Sequence, residues 1–291
     1  MDRLVALAVV GLVALIGWLP VGWARSIGRC VGWLSWVSRG DARRVTEINL
    51  ARCLPGVSEA ERQALARRSL AHTGQLALES GLLWRWPERR WSKLVQSCEG
   101  MELLEQAQRD GRPVLILVPH FGNWEFFALF LGRFGFTCLY DPPKIQALER
   151  PMVQARERTG GTLLPIGRRG VRQLMKTLEE GGISILLPDQ VPERGSGGVQ
   201  ADFFGRPALT MTLVQKLSAR YGPLVLTAAI RRVPGGFEVT LSEVTDPVDN
   251  PDEVVAATAL NAAVEKVARR DLAQYQWEYK RFKRAADGSP Y

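Results

Sequence analysis

The chain has 291 residues, enough to bury a full hydrophobic core as one large domain or two small ones. Its formal net charge of +8 comes mostly from arginine, so nucleic acid, phosphorylated lipid and acidic protein are all possible partners. The four cysteines show no C-x-x-C spacing and there are only two histidines, which argues against a structural zinc site and favours a reducing compartment.

The N-terminal 40 residues are expected to form a membrane anchor. Residues 4–24 carry no charged side chain, and this length of about 21 residues matches the roughly 20 that a helix needs to cross a bilayer. A cleavable signal peptide is disfavoured because no A-x-A site follows. Pro20 leaves open whether the segment spans the membrane or lies along it. Five arginines follow, which places the body of the protein at the cytoplasmic face of the inner membrane: Arg25, Arg29, Arg39, Arg43 and Arg44.

Residues 41–92 are predicted to be a helical, membrane-proximal segment. Helices are expected over Asp41–Cys53 and residues 58–84, separated by Pro55 and Gly56. Ser58 is a suitable N-cap for the second helix, since Glu61 follows three positions later and leucines recur at helical spacing.

The remaining residues, 93–291, are predicted to form an α/β body. Short apolar runs typical of buried strands occupy residues 114–118, 137–140, 162–166, 183–187, 224–230 and 237–241. Helices are expected over residues 101–109, after Asn123, and over residues 145–158, 171–180, 210–221 and 251–270. This alternation predicts a mostly parallel central sheet covered by helices.

The first apolar strand leads into a histidine, and a glutamate follows five positions later. Pro119 ends the strand, so His120 lies at its carboxyl end, where open α/β sheets bind ligands. Gly122 permits a tight turn and Asn123 is a natural N-cap, which puts Glu125 in the first turn of the next helix. From that turn the Glu125 carboxylate is expected to reach back to one imidazole nitrogen and leave the other free to take a proton from a hydroxyl.

One alternative to this catalytic interpretation stays open. In it, His120 only satisfies a backbone carbonyl while Glu125 acts as a favourable first-turn acid. A serine nucleophile is disfavoured because the chain has no G-x-S-x-G sequence and the spacing of its glycine-rich loop, residues 194–198, is wrong.

The segment His120-Phe-Gly-Asn-Trp-Glu125 resembles the H-x4-E signature of the lipid A late acyltransferases of Gram-negative bacteria, a branch of the lysophospholipid acyltransferase superfamily. Further blocks similar to that family cover nearly the whole chain: Ile166-Gly-Arg-Arg-Gly170, Leu187-Pro-Asp-Gln190, residues 199–210 and residues 274–283. The wider superfamily usually has Asn before the histidine and Asp at the acidic position. Pro119 and Glu125 therefore favour the lipid A branch.

This resemblance implies that His120 is the base and Glu125 its orienting acid. A hydroxyl on a hydroxyacyl chain of a Kdo-modified lipid A precursor would attack the thioester of an acyl carrier protein and form an ester. The basic surface suits these partners and anionic inner-membrane lipids. No cofactor, metal or nucleic acid is expected, because no corresponding motif is present.

Other residues of these blocks are assigned to substrate binding. Arg168 or Arg169 suits a phosphate, although a solvated helix start fits both residues as well. Asp189 is expected to orient a group in the site or to cap a loop, and Asn123 is grouped with it. Trp277, Arg281 and Lys283 suit either a membrane-facing rim or the basic end of a closing helix.

Two other functions stay open at this point. One is an acyltransferase of the same fold that acts on another glycolipid or on a lysophospholipid. The other is a non-catalytic basic protein that binds at the membrane.

Overall fold

The computed structural model describes residues 11, 15–143, 146, 149–193 and 195–291. Residues 4–10 and 12–14 of the predicted anchor segment, residues 4–24, lie outside the described residues. Among the helices that are described, none is both long and apolar enough to cross a membrane.

The described part of the chain before the sheet includes three long helices: α1 (Val21–Val37), α2 (Asp41–Cys53) and α3 (Glu59–Leu83). The predicted capping of α3 is confirmed, since the Ser58 side chain and Glu61 form a reciprocal capping box. Glycines let α1 approach α3 closely, because a Cβ atom added at Gly74 would lie 2.1 Å from the Gly28 carbonyl oxygen. The backbones of α1 and α3 are therefore in direct contact.

The central sheet has seven strands in the order β1-β9-β8-β2-β5-β3-β4. Neighbouring strands are parallel except for β8 and β9, which are antiparallel, so the predicted mostly parallel sheet is confirmed. The strands are β1 (Val95–Glu99), β2 (Val114–Leu117), β3 (Phe136–Tyr140), β4 (Gly161–Pro165), β5 (Ile183–Leu186), β8 (Leu224–Val233) and β9 (Gly236–Glu243).

Helices cover both faces of this sheet. Every residue of β2 is buried, with Val114 and Ile116 in one core cluster and Leu115 and Leu117 in another. This explains the continuous apolar run in the sequence, because a strand covered on both faces does not alternate. The described α-helices that follow α3 are α4 (Glu88–Trp91), α5 (Met101–Arg109), α6 (Trp124–Leu131), α7 (Glu149–Glu157), α8 (Arg168–Glu179), α9 (Leu213–Tyr221) and α10 (Glu253–Ala268).

Three elements differ from the prediction. The edge strand β1 was missed because its residues are mostly polar and exposed, so it has no apolar run. A two-stranded antiparallel sheet, β6 (Gly198–Phe203) with β7 (Arg206–Met211), takes up the start of the helix predicted over residues 210–221, and α9 begins only at Leu213. The segment after residue 274 is not a closing helix.

Candidate active site

His120 lies on the loop between β2 and α6, as predicted. Asn123 caps α6, since its Oδ1 atom accepts a hydrogen bond from the Phe126 amide at 3.0 Å. Gly122 has a φ of +59°, and a Cβ atom at this position would lie 1.7 Å from the Ile230 carbonyl oxygen. Only glycine satisfies both conditions, so the loop approaches β8 at a fixed point.

The hydrogen-bond partner of the His120 ring is Asp189. Nδ1 of His120 lies 2.8 Å from Asp189 Oδ1, and the His120 backbone N–H donates to Oδ2 at 2.8 Å. Asp189 follows β5, which pairs with β2 so that Leu117 lies opposite Leu186. Adjacent parallel strands thus bring the histidine and the aspartate to the same edge of the sheet.

The electrostatics of this pair favour the charged form of both groups. Burial opposes the imidazolium, but the facing Asp189 carboxylate outweighs it and raises the pKa of His120. Burial also opposes ionisation of Asp189, yet His120 and its amide keep the pKa of this carboxyl below its usual value. When the imidazole is neutral, an ionised Asp189 keeps its proton on Nδ1 and leaves Nε2 as the acceptor.

The predicted contact between Glu125 and His120 is wrong. Glu125 is in the first turn of α6, but its carboxylate forms a two-point ion pair with Arg156 of α7, with Arg156 Nε 2.9 Å from Oε2. The physical reason is that Asp189 already occupies Nδ1, while Arg156 offers a planar guanidinium to both carboxylate oxygens. The catalytic part assigned to Glu125 stays a prediction.

An aromatic ring connects the ion pair to the histidine. Trp124 meets the His120 ring edge to face at a centroid distance of 5.1 Å, and the Arg156 guanidinium carbon lies 5.6 Å from the centroid of Trp124. Glu125 is thus connected to the His120 ring through Arg156 and Trp124.

Gln190 covers the other nitrogen of His120. Its side-chain nitrogen lies 3.1 Å from His120 Nε2, and the residue is exposed. On this side the imidazole is therefore covered by a solvent-exposed amide.

The remaining predicted binding residues are not gathered around His120. Arg168 and Arg169 are exposed at the start of α8, directly after β4, at the same edge of the sheet but three strands from β2. Asn123 is fully buried, and its side-chain nitrogen donates to Glu79 Oε2 at 2.8 Å. Both polar atoms of Asn123 are therefore occupied by protein groups, which argues against its assignment to substrate binding.

The rim predicted for the C-terminal block is also wrong for two of its three members. Trp277 and Arg281 are buried, and only Lys283 is exposed. The Arg281 guanidinium donates to the Leu209 carbonyl at 2.7 Å and to the Thr210 hydroxyl at 2.8 Å. Arg281 and Trp277 line a small cavity together with His120 and Asp189. The C-terminal block therefore packs against the site from the interior of the protein.

Residues 2–284 match the sequence model of the bacterial lipid A biosynthesis acyltransferases. The chain belongs to this family. It is thus an O-acyltransferase of lipid A biosynthesis, and the expectation drawn from the sequence blocks is confirmed.

Curated relatives of this lipid A acyltransferase align over most of both chains. A lipid A biosynthesis acyltransferase of Haemophilus influenzae is 29% identical, over 92% of this chain and 87% of the relative. The lipid A biosynthesis lauroyltransferase of Escherichia coli is 27% identical, over 97% and 92%. The myristoyltransferase of the same organism is also 27% identical, over 86% and 78%.

Sequence reasoning named Asp189 but did not pair it with His120 in this acyltransferase, and it missed Arg156 and gave Gln190 no part. One signal for the pair was present in the sequence. Two buried strands end in the same way, with Val118-Pro119-His120 after one and Leu187-Pro188-Asp189 after the other. Polar residues that follow two strands at the same edge are candidates for contact.

Proposed function

We propose that this lipid A acyltransferase moves a fatty acyl chain from acyl carrier protein to a hydroxyl of a hydroxyacyl chain on a Kdo-modified lipid A precursor, with His120 as the general base. The observation that carries this proposal is the two-sided environment of the imidazole. Asp189 holds Nδ1 at 2.8 Å, while Nε2 faces the exposed Gln190. A base for an external alcohol needs this arrangement of one fixed nitrogen and one accessible nitrogen.

In the proposed reaction the acceptor hydroxyl displaces the Gln190 amide and donates its hydrogen bond to Nε2. Nε2 takes the proton as the oxygen attacks the thioester carbonyl, so that a C–O bond forms. The C–S bond then breaks, and the imidazolium returns the proton to the leaving thiolate. Asp189 stabilises the imidazolium while it exists, and the positive N-terminal end of α6 suits the developing oxyanion.

Glu125 and Arg156 support this reaction as positioning residues in our proposal. Burial opposes the charge on Arg156, but the facing Glu125 keeps the pKa of the guanidinium above its usual value. The pair therefore stays ionised and presents a fixed cation over Trp124, whose ring in turn limits the orientation of His120.

Arg168 and Arg169 are proposed to bind a phosphate of the acceptor. Both are exposed, and α8 begins at Arg168, so the helix N-terminus adds amide groups to the two guanidinium groups. A bulky saccharolipid can extend along the sheet edge from these arginines to His120. This proposal predicts a raised KM, with little change in kcat, when both arginines are replaced by alanine.

We propose the cytoplasmic face of the inner membrane as the location, with α1 lying along the lipid surface. Its outer face carries a row of large apolar side chains that the protein leaves uncovered: Trp23, Ile27, Val31, Trp33, Leu34 and Val37. Trp23 is 68% exposed although it belongs to an ordered helix packed on α3. Such a face beside exposed arginines is typical of a helix that rests in the interface of an anionic bilayer.

The test is an acyl-transfer assay with purified protein, acyl carrier protein thioesters of several chain lengths and a tetraacylated acceptor. His120→Ala is expected to lower kcat by about 10²- to 10⁴-fold, the usual contribution of a general base. The same assay with coenzyme A thioesters identifies the donor. Full activity of His120→Ala, or a lipid A fraction unchanged when the gene is deleted, would contradict the proposal.

A further inference from the structure

A buried ion cluster lies behind the His120 loop, and none of the sequence blocks accounts for its central residue, Glu79. This residue is on α3, and its side chain is 1% exposed. Arg25 of α1 donates to Oε1 from Nε at 2.6 Å. Arg232 of β8 reaches Oε2 from Nε at 2.9 Å and from Nη2 at 2.8 Å.

The fourth member of this cluster belongs to the catalytic loop. Asn123 Nδ2 donates to Glu79 Oε2 at 2.8 Å, while Oδ1 of the same side chain caps α6. One amide therefore connects the Glu79 cluster to the first turn of the helix that follows His120. We propose that Glu79 is a positioning residue for acyl transfer, which holds the loop carrying His120 through the side chain of Asn123.

In this proposal Glu79 does not touch the substrate, because protein groups enclose its side chain. Burial opposes its ionisation, but Arg232 and then Arg25 outweigh burial and keep the pKa of Glu79 below its usual value. A carboxylate held by two arginines is a fixed acceptor, so the direction in which it holds the Asn123 amide is also fixed. In this proposal α1 and α3, which supply Arg25 and Glu79, support the loop that carries His120.

Backbone contacts hold the same loop from two other sides. The Asn123 amide donates to the Ile230 carbonyl, and the Gly122 amide donates to the Gln274 carbonyl, both at 2.9 Å. The Gln274 side chain in turn bonds the backbone of Arg232 in both directions, at 2.7 and 2.9 Å. These backbone contacts remain when a side chain is replaced. The contact between the Asn123 side chain and Glu79 is the part of this support that a substitution can remove without changing the backbone.

The inference rests on the proposed part of His120 as the base, and the experiment separates the two. Asn123→Ser keeps an N-cap oxygen for the Phe126 amide but is too short to reach Glu79, and it leaves both ion pairs intact. We expect kcat to fall by about 10²-fold, the effect of a displacement near 1 Å, with KM for both substrates within about threefold of wild type. A residue that binds substrate would instead raise KM.

Asn123→Asp is the second variant. It keeps the cap but sets two carboxylates against each other, because Glu79 Oε2 accepts from Asn123 in the native contact. We expect kcat to fall at least as far as in Asn123→Ser, again with KM within about threefold of wild type. Glu47→Gln is the matched control, because Glu47 pairs with Arg43 at 2.8 Å on the outer side of α2, and it should leave kcat unchanged.

His120→Ala is assayed beside these variants. Wild-type kcat in Asn123→Ser or in Asn123→Asp overturns the positioning inference even when His120→Ala is inactive. Activity in His120→Ala overturns the proposed base and leaves the comparison of the Asn123 variants to stand by itself.

Discussion

Two buried carboxylates flank the loop that carries His120, and they differ in what remains open around them. Asp189 holds one side of an imidazole whose other side faces the exposed Gln190. Glu79 is surrounded by Arg25, Arg232 and Asn123, with each of its oxygens bonded. A carboxylate beside a group with an open face suits proton transfer, whereas a carboxylate enclosed by donors suits positioning.

From this difference we expect a substitution at one carboxylate to lower mainly the activity of the enzyme and a substitution at the other to lower mainly its stability. Replacing Asp189 by asparagine should lower mainly the rate of acyl transfer, because the asparagine side chain has the same shape and still fills the space. Replacing Glu79 by alanine should affect mainly folding, because two arginines are left without their acid.

The largest expected effect on activity is that of Asp189→Asn. The asparagine amide can donate to Nδ1, which moves the ring proton to Nε2 and removes the base from the side where the hydroxyl binds. A tautomer change of this kind lowers kcat by about 10⁴-fold in the Ser-His-Asp hydrolases, and we expect a similar loss here. Steady-state kinetics measure it, and thermal unfolding is expected to show a loss of about 1 kcal/mol only. A rate within tenfold of wild type would mean that Asp189 does not set the tautomer.

The largest expected effect on stability is that of Glu79→Ala. Removing one partner of a buried ion pair costs about 3–5 kcal/mol, since the remaining charge stays buried. Arg25 and Arg232 are 8% and 6% exposed, so neither can turn easily to solvent. Urea unfolding of the full chain measures this loss. A variant as stable as wild type would show that the two arginines find other partners, and the contrast with Asp189 would then fail.

The local form of the His120 loop could be predicted from the sequence, whereas the contacts of its side chains could not. Pro119, Gly122 and Asn123 are residues that end a strand, turn the chain and cap a helix, and these are effects of near neighbours. The partner of His120 depends on strand order. Since β5 and not β3 lies beside β2, Asp189 reaches the ring, and no local pattern gives that order.

Glu79 was beyond sequence reasoning for a related physical reason. It lies near the C-terminal end of α3, 44 residues before Asn123, among leucines that predict only a buried helical face. A buried glutamate is recognisable only when the arginines that neutralise it are known, and Arg232 comes from a strand far along the chain. Polar clusters assembled from distant elements leave little trace in the local sequence.

A smaller effect is expected from His72 of α3, whose Nδ1 lies 2.9 Å from Nη1 of Arg232. Burial, and then the nearby Arg232, lower the pKa of His72 to about 4. Because the folded chain resists protonation that the unfolded chain accepts below about pH 6.5, stability should fall as the pH drops from 6.5 toward 4. The slope from this residue approaches about 1.4 kcal/mol per pH unit at most. Urea unfolding of wild type and His72→Gln across this range measures it, and equal slopes would contradict the assignment.

The smallest expected effect concerns the open side of His120. Gln190 bonds Nε2 at 3.1 Å, so in the proposed reaction the acceptor hydroxyl displaces its amide before His120 takes the proton. Gln190→Ala removes this competition and also removes a group that keeps Nε2 occupied until substrate binds. We therefore expect kcat/KM within about tenfold of wild type, in either direction, with the pH at which activity is lost on acidification unchanged, because Asp189 still sets the pKa of His120. A pH–rate profile of this variant measures the acidic limb. A shift of that limb from its wild-type position would mean that the two nitrogens of the imidazole are not independent.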